Sequence, residues 1–129
     1  VEIWDALRGQ YHVLTPEEWV RQHLVAYLVS HCGAQPGRIV AEYAVALNGQ
    51  PQRADVVVVD GCARPLLVAE CKAPDVPVNE KVLSQVVRYN SVLGARYVVL
   101  TNGRVHGCYE CRDGRYVPLV HFPDLTAGA

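Results

Sequence analysis

Asp55, Glu70 and Lys72 are the residues of this chain whose types and spacing point to chemistry. Glu70 and Lys72 stand two apart at the end of an apolar run, "PLLVAECKA", which stops at Pro74. Side chains two apart on a strand leave on one face, so a carboxylate and an ammonium share it. Charges in that position are costly unless paired, hydrated or bound to metal. Asp55 opens the preceding apolar run, "RADVVVVD", and the turn at Gly61 folds the two runs together. Two carboxylates and one ammonium then cluster at one edge of a sheet. Adjacent carboxylates repel, and one takes a raised pKa unless a cation intervenes. A divalent ion resolves this, and hard oxygen ligands suit magnesium or manganese. Such an ion polarises a phosphoryl oxygen and stabilises charge on a leaving oxygen, while a neighbouring lysine orients or activates water.

These residues need rigid elements to hold them. "LTPEEWVRQHLVAYLVSHCG" reads as a helix. Thr15 serves as N-cap, Pro16 takes the first helical position, Glu18 completes a capping box and Gly33 supplies the stop. Val20, Leu24, Tyr27 and Leu28 form its apolar stripe. At about 100° per residue, Glu17 falls near the centre of that stripe and Glu18 points away. Three strands follow at 38–47, 53–60 and 65–73, the first two joined by an Asn48-Gly49 turn. The valine run has no alternation, which predicts a strand buried on both faces. "NEKVLSQVVRYNSVLG" is a second helix, with Asn79 as cap and Gly94 as stop. Val82, Val86 and Leu93 face its core, while Lys81, Gln85 and Tyr89 form another stripe with Arg88 beside it. "RYVVLTNG" is a further buried strand, and a last hairpin turns at Asp113-Gly114. The expected class is α/β, an αβββαβ core whose mixed central sheet is flanked by helices, with an extra C-terminal hairpin. One domain over 1–129 is expected.

Composition narrows the function. The chain has 129 residues, half of them hydrophobic, with 12 basic and 13 acidic side chains and a formal net charge of -1. A domain gripping long nucleic acid unaided is usually basic, so binding here needs a local patch, a metal or a partner. No apolar run approaches the length of a membrane span and no signal peptide is visible, so a cytoplasmic protein with no membrane partner is expected. There is no methionine, so Val1 is not expected to be the translated start. The five cysteines are an odd count, and free thiols are expected. "HGCYEC" carries His106, Cys108 and Cys111, but one CxxC supplies only half of a structural zinc site. Cys108 and Cys111 would also leave a regular strand on opposite faces, so no zinc is expected.

"RAD" at 53–55 followed by "ECK" at 70–72 resembles the PD-(D/E)xK nuclease signature, with Ala54 in the proline position. "QVVRY" at 85–89 resembles the QxxxY element of the RecB-like branch. Taken in order, "IWDALR", "LTPEEWVRQHL", "RADVVV", "LLVAECKAP", "QVVRYN" and "VVLTNG" resemble the N-terminal nuclease domain of type I restriction enzyme R subunits, in its short stand-alone bacterial form. The resemblance implies a restriction-endonuclease-like fold and magnesium- or manganese-dependent cleavage of DNA. It makes Asp55 and Glu70 metal ligands, Lys72 the catalytic lysine, and Glu17 an added acid at the metal. It sets Gln85 and Tyr89 along the cleft, with Arg88 grouped among the substrate contacts. DNA, and other restriction or defence subunits, are the partners implied. Ala6 stands where relatives often have proline, and no motor for translocation is expected in this chain. Two other readings stay open: a non-catalytic module that keeps the fold to bind nucleic acid or a partner subunit, and a zinc or redox protein built on the CxxC.

Overall fold

A computed structural model describes residues 1–126. The chain runs β1 (Glu2–Asp5), β2 (Gln10–Val13), α1 (Pro16–Cys32), a 3-10 turn (Pro36–Arg38), β3 (Ile39–Leu47), β4 (Gln50–Val59), β5 (Pro65–Cys71), α2 (Glu80–Leu93), β6 (Tyr97–Thr101), β7 (His106–Arg112) and β8 (Arg115–Leu119). β3 to β8 form one six-stranded sheet in sequence order. β5 and β6 pair in parallel across the α2 connection, and the other neighbours pair antiparallel. The tight turns follow from their residues. Asn48 and Gly49, and again Asp113 and Gly114, adopt positive φ at both central positions, which twists a two-residue hairpin in the right sense. No helix among the described residues is long and apolar enough to cross a membrane.

The helices cover opposite faces of the sheet. Val20, Leu24 and Leu28 of α1 pack with Val56, Val58, Leu67, Ala69 and Val99. Val82, Val86 and Tyr89 of α2 pack with Val57, Val68, Val98 and Leu100. The unalternating valines are thus buried on both sides, as their pattern predicts. Each fully buried valine or leucine contributes about 1.5–3 kcal/mol. Thr15 accepts the Glu18 N–H at 3.0 Å, and Gly33 closes α1 with a left-handed residue.

Four sequence expectations are corrected. The second strand starts at Gln50 rather than 53, so Asp55 lies within β4, and the third ends at Cys71 rather than 73. Tyr27 leaves the apolar stripe of α1 and is 41% exposed. Glu17 is exposed at the first turn, whereas Glu18 is the buried acid at 8%. The β1–β2 hairpin had no signal in the apolar pattern.

Glu18 is buried because cations reach it. Arg8, from the turn of the β1–β2 hairpin, donates to Glu18 at 2.6 Å, to the buried Asp5 and, at 3.2 Å, to Glu42. Arg21 also pairs with Glu18, and Gln22 donates to it at 3.0 Å. Arg8 therefore ties the hairpin, α1 and β3 together. Removing one partner of such a buried cluster strands the others, at a cost of about 3–5 kcal/mol. Arg8→Ala is expected to lower the melting temperature by roughly 10 °C or more, followed by circular dichroism. A variant melting with the parent would show that the hub is dispensable.

Candidate active site

Asp55 owes its position to an inversion in the β3–β4 hairpin. Ile39 belongs to the α1-side core, yet Tyr43, Val45 and Leu47, at the same strand parity, belong to the α2 side. Val56 and Val58 face α1, but Ala54, also of their parity, faces α2. The switch falls between the pairs Ala41↔Val56 and Tyr43↔Ala54, which leaves Glu42 and Asp55 opposite one another with no ladder pairing of their own. Glu42 has φ 53°, a left-handed conformation that costs a non-glycine residue roughly 1–2 kcal/mol. The kink turns Asp55 away from an ordinary strand position and into a cleft of about 460 Å³, shared with Thr15, Glu17, Arg21, Glu42 and Cys71.

The β4–β5 register delivers the partner. Val56 pairs with Ala69, so the next step of the ladder sets Asp55 across from Glu70. Asp55 Oδ2 accepts the Cys71 N–H at 2.8 Å, which fixes its carboxylate against the end of β5. Glu70 is only 4% exposed. Burial, then a hydrogen bond with Asp55, then the Asp55 charge, push the Glu70 carboxyl up to about 9, while Lys72 opposes the shift. Lys72 follows β5 directly, and its N–H still extends the parallel ladder, donating to the Thr101 carbonyl at 2.9 Å. The structure thus brings Asp55, Glu70 and Lys72 to one strand end.

Glu17 lies on the rim of this cleft. Burial and the Asp55 charge raise its pKa, and Lys72 and Arg21 offset part of the rise. Among the described residues no three His, Cys, Asp or Glu side chains stand close enough to form a ready-made metal cage. Asp55 and Glu70 are the pair in contact, and Glu17 is an electrostatic neighbour. The pair nonetheless fits a hard cation. Its donors are carboxylate oxygens, and Glu70 Oε2 is buried with no hydrogen-bond partner.

Gln85 Nε2 donates to the Tyr89 hydroxyl at 3.1 Å, so the two residues form one unit on α2. Tyr89 is buried in the α2-side core and Arg88 is exposed. None of the three hydrogen-bonds to Asp55, Glu70 or Lys72. Sequence reasoning missed Arg8, Arg21 and Glu42; it read Asn102 and Gly103 as a turn, with Thr101 and Asn102 near the cleft. Asn102 donates to the Val76 carbonyl at 2.9 Å and accepts the Arg104 and Val105 N–H groups, which pins the loop after Lys72 to the loop after β6. The Asn-Gly pair at 102–103 marked the turn, but nothing local marked its reach to Val76.

The CxxC divides as strand geometry predicts. Cys108 lies in the α1-side core, whereas Cys111 is the cross-strand partner of Tyr116, which packs on the α2 side. Burial raises the Cys108 thiol to about 11, far from a reactive thiolate.

The profile of the type I restriction enzyme R protein N terminus matches residues 16–123. The chain belongs to this family. A solved fragment described as an HsdR subunit of a type I restriction enzyme from Vibrio vulnificus YJ016 shares the fold, with a TM-score of 0.65 at 23% identity. The likeness covers 85% of this chain and 24% of that one, so the R protein N-terminal region here spans about a quarter of that chain's length. No curated protein sequence matches the chain. The mixed α/β fold expected from the family resemblance is the one observed. Within this R-family fold the acid pair sits where the antiparallel meander meets the parallel crossover.

Unfolded Glu70 ionises near 4.5, whereas folded Glu70 keeps its proton to about 9. Between those values the folded state binds the extra proton, so metal-free protein should lose stability as pH rises, by at most ~1.4 kcal/mol per pH unit. Urea midpoints measured in chelator across this window should fall for the parent and flatten for Glu70→Gln. Equal slopes would mean that Glu70 is already ionised.

Proposed function

We propose that this chain is a magnesium- or manganese-dependent deoxyribonuclease that hydrolyses phosphodiesters at the Asp55–Glu70 end of the sheet. The observation that carries this reading is the contact of a buried Glu70, holding an unpartnered oxygen, with Asp55, beside Lys72 on the same strand end. Asp55 and Glu70 would hold the ion, which would polarise the phosphoryl oxygen and stabilise charge on the leaving oxygen. Lys72 donates hydrogen bonds to the attacking water and holds it in line. Glu17 borders the cleft on the side of α1. The Gln85–Tyr89 unit and Arg88 are the proposed substrate contacts on α2. DNA and other restriction subunits are the partners, and the cytoplasm is the compartment, where the free thiols stay reduced.

A non-catalytic nucleic-acid- or partner-binding module is the second reading. It is favoured by the net charge of -1 and by the want of a three-ligand group among the described residues. A cleavage assay on several DNA forms separates the two. Lys72→Ala should lower the cleavage rate by roughly a hundredfold or more. Its stability should change by only ~0–1 kcal/mol, since the Lys72 side chain is partly exposed and charge interactions reached by water contribute little. A variant that melts like the parent and cuts at the parental rate removes Lys72 from the mechanism. Asp55→Ala should abolish both cleavage and manganese binding by calorimetry. Unchanged manganese affinity would exclude Asp55 as a ligand.

A further inference from the structure

We propose that the groove between α1 and the loop after β6 is a stacking site for one unpaired nucleobase of a DNA strand. The groove encloses about 280 Å³ and is lined by Trp19, His23 and Tyr27 of α1, with Thr101, His106 and Phe122 facing them. Trp19 and Tyr27 are 42% and 41% exposed. Each is backed by an imidazole one helical turn on. Trp19 lies over His23 at 3.9 Å between centroids, and Tyr27 stacks on His31 at 4.6 Å, with Phe122 4.8 Å away. The rings are therefore backed by neighbouring rings and remain partly exposed.

The chemistry of the lining selects the occupant. Among the described residues no carboxylate, ammonium or guanidinium lines the groove, and its titratable groups are two imidazoles, His23 beside the Trp19 carbonyl and His106 beside the Thr101 hydroxyl, so it suits a planar ring with a polar edge better than a bare phosphate. Its polar groups are few and placed: Thr101 Oγ1 lies 2.7 Å from His106 Nδ1 and also accepts the Gly103 N–H at 3.0 Å. An apolar slot with a small number of convergent polar atoms fits a planar heteroaromatic with a polar edge. The size, just below the ~300 Å³ at which clefts for larger ligands begin, admits one ring system. A cation for the flanking phosphate follows in the chain at the exposed Arg104. Gly103 keeps the slot open. Its φ is +86°, and a Cβ there would stand 3.3 Å from Val20 and 3.6 Å from the Trp19 ring.

The groove also continues the candidate active site. Thr101, which lines it, accepts the Lys72 N–H through its carbonyl, and Trp19 follows Glu17 on the first turns of α1. A strand whose phosphate lies at Asp55 and Glu70 would pass a neighbouring base to Trp19. The proposal rests on the hydrolysis reading for this direction of approach, but it is tested by binding. Base-on-ring stacking tolerates any base, so the site holds a strand without reading its sequence.

The test uses the full chain in a Trp4→Phe, Lys72→Ala background with magnesium present, so that Trp19 is the sole indole and the strand stays intact. It compares a single-stranded oligonucleotide, an abasic strand of equal length, and a blunt duplex. Saturable quenching of Trp19 by the base-bearing strand, at least about tenfold tighter than by the abasic strand, is expected. Trp19→Leu should weaken binding of the labelled single strand by roughly tenfold in anisotropy, with unchanged melting. Equal binding of abasic and base-bearing strands, or no loss with Trp19→Leu, overturns the proposal. So does a dimer in sedimentation that Trp19→Leu dissociates, since the groove would then be a contact between copies. Base-dependent quenching by a protein whose parent cuts no DNA refutes only the hydrolysis reading. Cleavage by the parent with base-independent binding refutes only the stacking site.

Discussion

A carboxylate withdrawn from water at the end of an apolar strand must keep a proton or meet a cation, and Glu70 is in that position. Its neighbour Asp55 is the wrong group to relieve it, because a second acid raises the cost of ionising the first. The surrounding structure serves this pairing. The β4–β5 register sets the two acids across from each other, the Cys71 N–H holds one of them, and Lys72 supplies a charge that favours ionisation. A site arranged in this way stores affinity for a positive ion in the fold itself.

The arrangement depends on a strained residue. Glu42 keeps a left-handed conformation so that the distal half of the β3–β4 hairpin can turn its apolar residues from α1 to α2. Arg8 bonds Glu42 from the turn of the β1–β2 hairpin while also holding Asp5 and Glu18. The hub connects the kink to the first turn of α1, where Glu17 borders the same cleft. On the opposite side Asn102 fastens the loop that follows Lys72. The acids and the lysine are thereby supported by elements distant in sequence.

What was legible in the sequence was local. Asn48-Gly49, Asp113-Gly114, the Thr15 cap and the Gly33 stop each act within a few residues, and each formed as their chemistry requires. The unbroken valines of β4 announced burial on both faces. The contact of Asp55 with Glu70 followed from the turn between two apolar runs, which sets their register. Glu17 and Glu18 were transposed for a nonlocal reason. A helical wheel has no knowledge of Arg8, and Arg8 is what makes burial of Glu18 favourable. The kink was invisible because glutamate is no turn former, and the face change in β3 and β4 cannot be read from a period of two. The β1–β2 hairpin lacked a cue because Trp4, Tyr11 and Val13 face outward.

The parallel pairing of β5 with β6 has a kinetic side. β4 and β5 are joined by a short loop, so Asp55 and Glu70 can meet after one local closure. Lys72 is fixed only when its N–H reaches Thr101, and that contact waits for the α2 crossover between Leu67 and Tyr97. Chain topology thus orders assembly, the repelling acids first and the ammonium that relieves them last. φ-values at Val57 and Val99 would read that order, high at the first and low at the second. Until the crossover closes, the half-made sheet carries two acids still open to water, and the desolvation that gives the site its character is deferred to the final packing step.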